Sequence, residues 1–338
     1  MQFSLFSVVL HWKNLGVLMV GPYGDWLRFP YENMGNLYLI PEIDCCRVVT
    51  DVSVEMLQRV PPATTLLLRI GSIEPSAMLL DAADAFESGS AASDEAARAI
   101  TKTGMLYEAI ESCAEAAAKE FDIATQKRLL RAASYGMHFS FKDDTESKNI
   151  MGGRLDEVEG EESTTMPSKT TMTFVEAARK LRILNALRNP SVGMLLTSIQ
   201  YDAITPLGVI ARLIAIKRPA LATSVSKYLS LPKAVQLYAR ASKAAAFVSA
   251  EKNRSDADTA QAAIQIIHED SPAEATKNTS SSINRGGYAT VALAANRAGR
   301  PGVANLLLML ESSVADKVPA LISTGSFADA VAVATTAR

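Results

Sequence analysis

No alanine occurs before Ala63, and beyond it alanine becomes the dominant apolar residue. Eight aromatic residues, including both tryptophans, fall within the first 50 positions. Aromatic and β-branched side chains suit a pleated, half-buried surface, whereas alanine has the best intrinsic helix propensity. A single chain with this break must build strands first and helices afterwards, with the change near residue 60.

Turn signals divide the first part at strand spacing. Ser7–Trp12 reads as a strand, and residues 14–16 can turn it into a second at 17–20. Gly21-Pro22-Tyr23-Gly24 is another turn, followed by a strand at 25–29 that Pro30 ends. A further pair fits 37–40 and 46–49. Four or five short strands predict an antiparallel meander over 1–60, too few to close a propeller. Trp12 and Trp26 are expected to stay partly exposed unless the first helices cover them. The apolar opening MQFSLFSVVL lacks a basic leader and is assigned to a strand rather than a signal peptide.

From about Asp51 the apolar period lengthens. Met56, Leu57 and Val60, then Leu67, Leu68 and Ile70, then 78–83 and 96–100, show the three- and four-residue steps of buried helix faces. Pro61-Pro62 and Pro75 mark helix starts, because proline is tolerated in a first turn. A weak pattern recurs in which glycine closes one helix and alanine follows five residues later: Gly104 and Ala109, Gly299 and Ala304, Gly325 and Ala330. Lys217 and Ala222 form a degenerate copy. Glycine reaches the left-handed conformation that ends a helix, and a small residue inside the next lets two backbones approach. The fold class is mainly α: an irregular α-solenoid of stacked helical hairpins, preceded by a small antiparallel β segment. A single irregular helical domain is the alternative. The helical parts are expected at 61–141 and 173–338. Between them, 142–172 holds eight acidic and four basic residues and reads as an acidic, disordered insertion. A second polar stretch, 271–285, reads as a long loop.

The chain offers little chemistry. Its 34 Lys+Arg against 36 Asp+Glu remove the electrostatic case for nucleic acid, and no apolar run approaches a membrane span. Three cysteines and three histidines lack metal-ligand spacing. No phosphate loop, GxSxG elbow or HExxH motif occurs. Gly152-Gly153-Arg154 and the pairs Asp143-Asp144 and Glu161-Glu162 read as solvated parts of the acidic stretch. Gly286-Gly287 could present amides to phosphate, but a loop entering a helix is favoured. Cys113 is assigned to the core and His138 to a helix end or core. Two sequons, at Asn253 and Asn278, read as chance matches. No catalytic, cofactor-binding or metal-binding residue is assigned.

Four segments carry a resemblance: DWLRFPY (25–31) with LIPEID (39–44), QKRLLRAASYG (126–136), LRILNALR (181–188) with YLSLP (228–232), and AANRAGRPGVANLL (294–307). In this order they resemble the vacuolar protein sorting-associated protein 16 family, core subunits of the HOPS and CORVET tethering complexes. The resemblance implies that 1–60 is the end of a β-propeller and that the helices belong to a longer solenoid. It implies a non-enzymatic, cytoplasmic, hetero-oligomeric scaffold, peripheral on late endosomes and lysosomes or vacuoles. The implied partners are vacuolar protein sorting-associated protein 33, a Sec/Munc-type SNARE chaperone, and the other core subunits, with no cofactor, nucleic acid or direct membrane insertion. It places the start of the partner-binding repeats at 283–338. There, Val303, Leu306, Leu307 and Leu310 fit one buried stripe, leaving Leu308 and Met309 outside it. Leu308, Met309, Asn305 and Arg300 are the expected partner-binding residues. A coat or nuclear-pore solenoid, or a helical regulatory subunit of an enzyme, is the competing assignment.

Overall fold

The computed structural model describes residues 2–4, 7–13, 15–21, 23–31, 35–90, 92–150, 169–268 and 287–337. Strands β1 (Gln2–Ser4), β2 (Ser7–Trp12), β3 (Gly16–Val20) and β4 (Trp26–Phe29) form one antiparallel meander. Strands β5 (Leu37–Pro41), β6 (Cys45–Thr50) and β7 (Val54–Gln58) form another. Seven strands among the described residues exceed the expected four or five. Met56 and Leu57, expected on a helix, lie on β7, which pairs with β6 from Cys45 opposite Gln58 to Val49 opposite Val54. So short an apolar run fits either period, and pairing to β6 decides between them. Leu57 packs on the small core formed by Val9, Val17, Cys46 and Val48. Trp12 and Trp26 are 62% and 64% exposed, as the strand count led us to expect. Gly16 fixes the β2–β3 turn: its φ is +81°, and a Cβ would stand 2.4 Å from the Phe29 carbonyl oxygen.

Residues 1–201 form one compact unit and 202–338 a second. The first continues with α1 (Pro62–Leu68), α2 (Pro75–Glu87), α3 (Ala92–Lys102), α4 (Leu106–Lys119), α5 (Ile123–Ile150) and α6 (Lys169–Arg188). Its helical core gathers Leu79, Ile100, Ile110, Cys113, Leu129, Ala132, Ala133 and Leu181. Gly136 of α5 lies where a Cβ would come within 2.7 Å of Ile110 and 2.9 Å of Leu79, so a larger residue would have to displace both side chains from this crossing. Helices α5 and α6 both reach into 142–172, which narrows the expected insertion to 151–168. That remainder, with Gly152-Gly153-Arg154 and Glu161-Glu162, lies outside the described residues, as does 271–285.

Polar side chains join the layers of this unit. Arg188 donates from Nε to the Leu196 carbonyl (3.0 Å) and from Nη1 to that of Glu120 (3.1 Å), and stacks 3.8 Å over Phe121. Burial lowers its pKa to about 10. Arg47 of β6 pairs with Glu42 (2.8 Å) and donates to the Leu195 carbonyl, while the Gln200 amide donates to Glu42 (2.6 Å) and Asp44 (3.0 Å).

Helix α7 (Ser198–Ala215) is broken at Thr205 (φ 66°), immediately before Pro206. The second unit contains α8 (Pro219–Tyr228), α9 (Lys233–Ala250), α10 (Asp256–His268), α11 (Tyr288–Arg297), α12 (Pro301–Leu310), α13 (Val314–Ser323) and α14 (Phe327–Thr336). Its core is built mainly from alanine, with Val248, Ile267, Val291, Val303, Leu307 and Leu308 between the alanines. The recurring closures are real. Gly104, Lys217, Gly299 and Gly325 all have φ between 62° and 83°, and Ala109, Ala222, Ala304 and Ala330 are all buried. At Lys217, Gly299 and Gly325 the closing residue bonds one helical carbonyl and its successor another, for example Gly299 N–H to Asn296 and Arg300 N–H to Ala295. This pairing satisfies carbonyls that a helix end leaves open.

Candidate functional site

The four expected partner-binding residues all lie on or beside α12. The helix starts where it does because Gly299 stops α11 and Pro301 occupies the first turn. Arg300 stands between them, and its guanidinium is consumed by the fold. It donates to Asp256 Oδ1 (2.8 and 3.1 Å), to the carbonyls of Glu251 (3.1 Å) and Arg254 (2.8 Å), and to Thr259 Oγ1 (3.0 Å). This latch ties the start of α12 to the α9–α10 connection. Gly302 completes it, since a Cβ there would stand 2.2 Å from Asp256 Oδ2. Arg300 therefore has no donor left for a partner, and its expected docking role is corrected to a structural one.

Leu308 requires the same correction. The buried face of α12 is Val303, Ala304, Leu307 and Leu308, with Leu308 only 2% exposed. Leu306 and Leu310, expected inside, are 40% and 48% exposed. The apolar run 306–310 offers two overlapping stripes, and the sequence contained a signal that separates them. Ala304 sits five residues after a closing glycine, which places it inward and brings 307 and 308 inward with it. Asn305 and Met309 stand on the outer face, Met309 at 76% exposure. Leu306, Met309 and Leu310 follow the i, i+3, i+4 spacing of one helical stripe. Phe327 and Val331 form a second exposed apolar pair on α14, at 64% and 63%.

No charged side chain lies on α12. Glu311, just past its end, is buried and accepts from the amides of Ala289 (3.0 Å) and Ser313 (3.1 Å). The start of α11, behind Gly287, is thus served by the chain's own carboxylate. The outer stripe of α12 can associate by apolar burial, worth about 1.5–3 kcal/mol for each large side chain fully covered. Uncharged surface of this kind gives contact that salt screens little.

The other candidate groups are inert or structural. Burial pushes the Cys113 thiol up to about 12, and burial with the neighbouring Glu42 does the same to Cys45. Neither is a thiolate at neutral pH. His138, expected at a helix end or in the core, is exposed on α5 beside Phe139. Among the described residues, no group of three or more His, Cys, Asp or Glu side chains could hold a metal ion. Also among them, no helix is long and apolar enough to cross a membrane.

Residues 4–148 match the family described as Vps16, N-terminal region. Protein VACUOLELESS1 of Arabidopsis thaliana is 34% identical over 329 residues, covering 97% of this chain and 33% of the relative. The vacuolar protein sorting-associated protein 16 homologs of Dictyostelium discoideum and Drosophila melanogaster are each 30% identical, over 94% and 97% of the chain. The chain spans about a third of the length of these relatives. Matched over nearly its whole length by these relatives, the chain belongs to the Vps16 family.

Proposed function

We propose that the chain is a scaffold segment of a vacuolar protein sorting subunit, acting within a HOPS- or CORVET-type complex that tethers late endosomes and vacuoles or lysosomes. Its α12 would contribute to holding a Sec/Munc-type SNARE chaperone, vacuolar protein sorting-associated protein 33. The relatives' names tie them to vacuolar protein sorting. The observation that carries the docking role is the uncharged stripe of Leu306, Met309 and Leu310 on a helix whose other face is buried. A large apolar stripe left in water marks an interaction surface. The mechanism is positional: stacked helices hold the bound chaperone where membranes meet, and linkage raises its local concentration there.

The test is coprecipitation of the chaperone of the same organism with the full chain, and with the double variant Leu306→Asp, Met309→Asp. The variant should lose binding by about tenfold or more, since two apolar contacts are replaced by desolvated carboxylates. Its helical circular dichroism should match that of the parent, because both positions are outward. Undiminished binding by the variant would remove α12 from the interface.

A further inference from the structure

We propose that a cleft between α2, α3 and α5 in the first unit is a docking pocket for a lysine or arginine side chain, presented by a short basic segment of a partner protein. The cleft has a volume of about 570 Å³, within the range of ligand sites and larger than one side chain needs. Residues flanking the cation on its own segment therefore have room to enter.

Its wall is aromatic. Phe86 and Tyr135 have ring centroids 5.2 Å apart, and Tyr135 and Phe139 5.0 Å. Phe86 is 60% exposed, so this aromatic surface faces the open cleft rather than the core. The Tyr135 hydroxyl is buried beside Ser93 and Asp94, and its burial raises its pKa. Asp94 lines the cleft, whereas the two lining guanidiniums are already engaged, Arg128 with Asp84 and Arg131 with Glu87. Two features remain available to a ligand: aromatic faces, and the Asp94 carboxylate, which has no basic partner among the described residues. Each attracts a cation, because ring faces carry negative potential and a carboxylate accepts from N–H donors. An acidic ligand would have to displace an existing ion pair first. The pocket lies in the first unit and does not depend on the stripe of α12.

The experiment titrates the full chain by calorimetry with the blocked pentapeptide acetyl-Gly-Ala-Arg-Ala-Gly-amide, and with versions carrying lysine, norleucine or glutamate in place of arginine. The arginine and lysine peptides should bind about tenfold tighter than the norleucine and glutamate ones. Asp94→Asn and Phe86→Ala should each weaken the arginine peptide about fivefold or more, with melting temperatures unchanged. Glu115→Gln, an exposed carboxylate on α4 away from the cleft, should leave binding as it was. Norleucine binding as well as arginine, a preference for glutamate, or no saturable binding in the millimolar range would overturn the proposal. So would equal loss from Asp94→Asn and Glu115→Gln, which would mark diffuse charge attraction. Acetyl-arginine amide binding as tightly as the pentapeptide would overturn the assignment to a protein segment.

Discussion

Helices α5 and α12 both carry residue runs on which the resemblance to the family rests, yet the two runs spend their polar members differently. In α12, Arg300 is locked by Asp256, Thr259 and two carbonyls, and Gly302 exists to seat the Asp256 carboxylate. In α5, Leu129, Ala132, Ala133 and Gly136 are buried, while Arg128, Arg131 and Tyr135 line an open cleft. The ion pairs there are exposed, with Arg131 at 56% and Glu87 at 47%. A recognisable motif therefore does not mark a surface by itself. What decides is whether its polar groups are consumed inside the fold.

The largest test of this contrast lies at the two buried faces. Gly136→Val should destabilise the first unit by about 3 kcal/mol, because the added carbons meet Ile110 and Leu79 in a packed crossing. Denaturant unfolding followed by circular dichroism reads the loss, and a parental midpoint would break the claim that this crossing is rigid. Leu308→Ala should cost the second unit about 3 kcal/mol through the cavity it leaves. Met309→Ala, one residue away, should shift stability by no more than about 0.5 kcal/mol. Equal effects at 308 and 309 would reverse the assigned faces of α12.

The polar members give a smaller contrast. Arg300→Ala should cost about 2 kcal/mol, since it strips hydrogen bonds to a charged group from a largely buried guanidinium. Arg131→Ala removes an exposed ion pair and should cost about 0.5 kcal/mol or less. Thermal melts of both variants compare them directly, and a costly Arg131→Ala would show that the rim of the cleft holds the fold together.

The helix closures yield the smallest change, of opposite sign. Lys217 holds φ 62° where Gly299 and Gly325 stand in the other copies. A side chain in the left-handed region costs about 1–2 kcal/mol, so Lys217→Gly should stabilise the second unit by up to about 1 kcal/mol after its added chain entropy. A higher melting temperature would confirm that the degenerate copy is the strained one.

Much of this was legible from local chemistry. The strand-to-helix change, the strands from Ser7 to Thr50, the proline starts of α1 and α2 and the four closures all depend on residues close in sequence. The sequence misled where two periods overlapped. Met56 and Leu57 fit a helix until β6 paired with them, and 306–310 fit two stripes. Arg300 looked available because an arginine's partners can be distant: Glu251, Asp256 and Thr259 lie 41 to 49 positions away. The outer stripe of α12 could have been found by letting Ala304 set the inward face.

By itself the sequence determined the order of strand and helix, the points where helices stop, and the small residues on which they cross. These follow from φ preferences, ring constraints and side-chain size, properties that each residue carries with it. Only the tertiary structure decided which face of α12 is buried, which arginines are consumed, and that Phe86, Asp94 and Tyr135 border one cleft. Burial depends on neighbours brought from far along the chain, and an apolar or cationic side chain is the same residue on either side of that boundary.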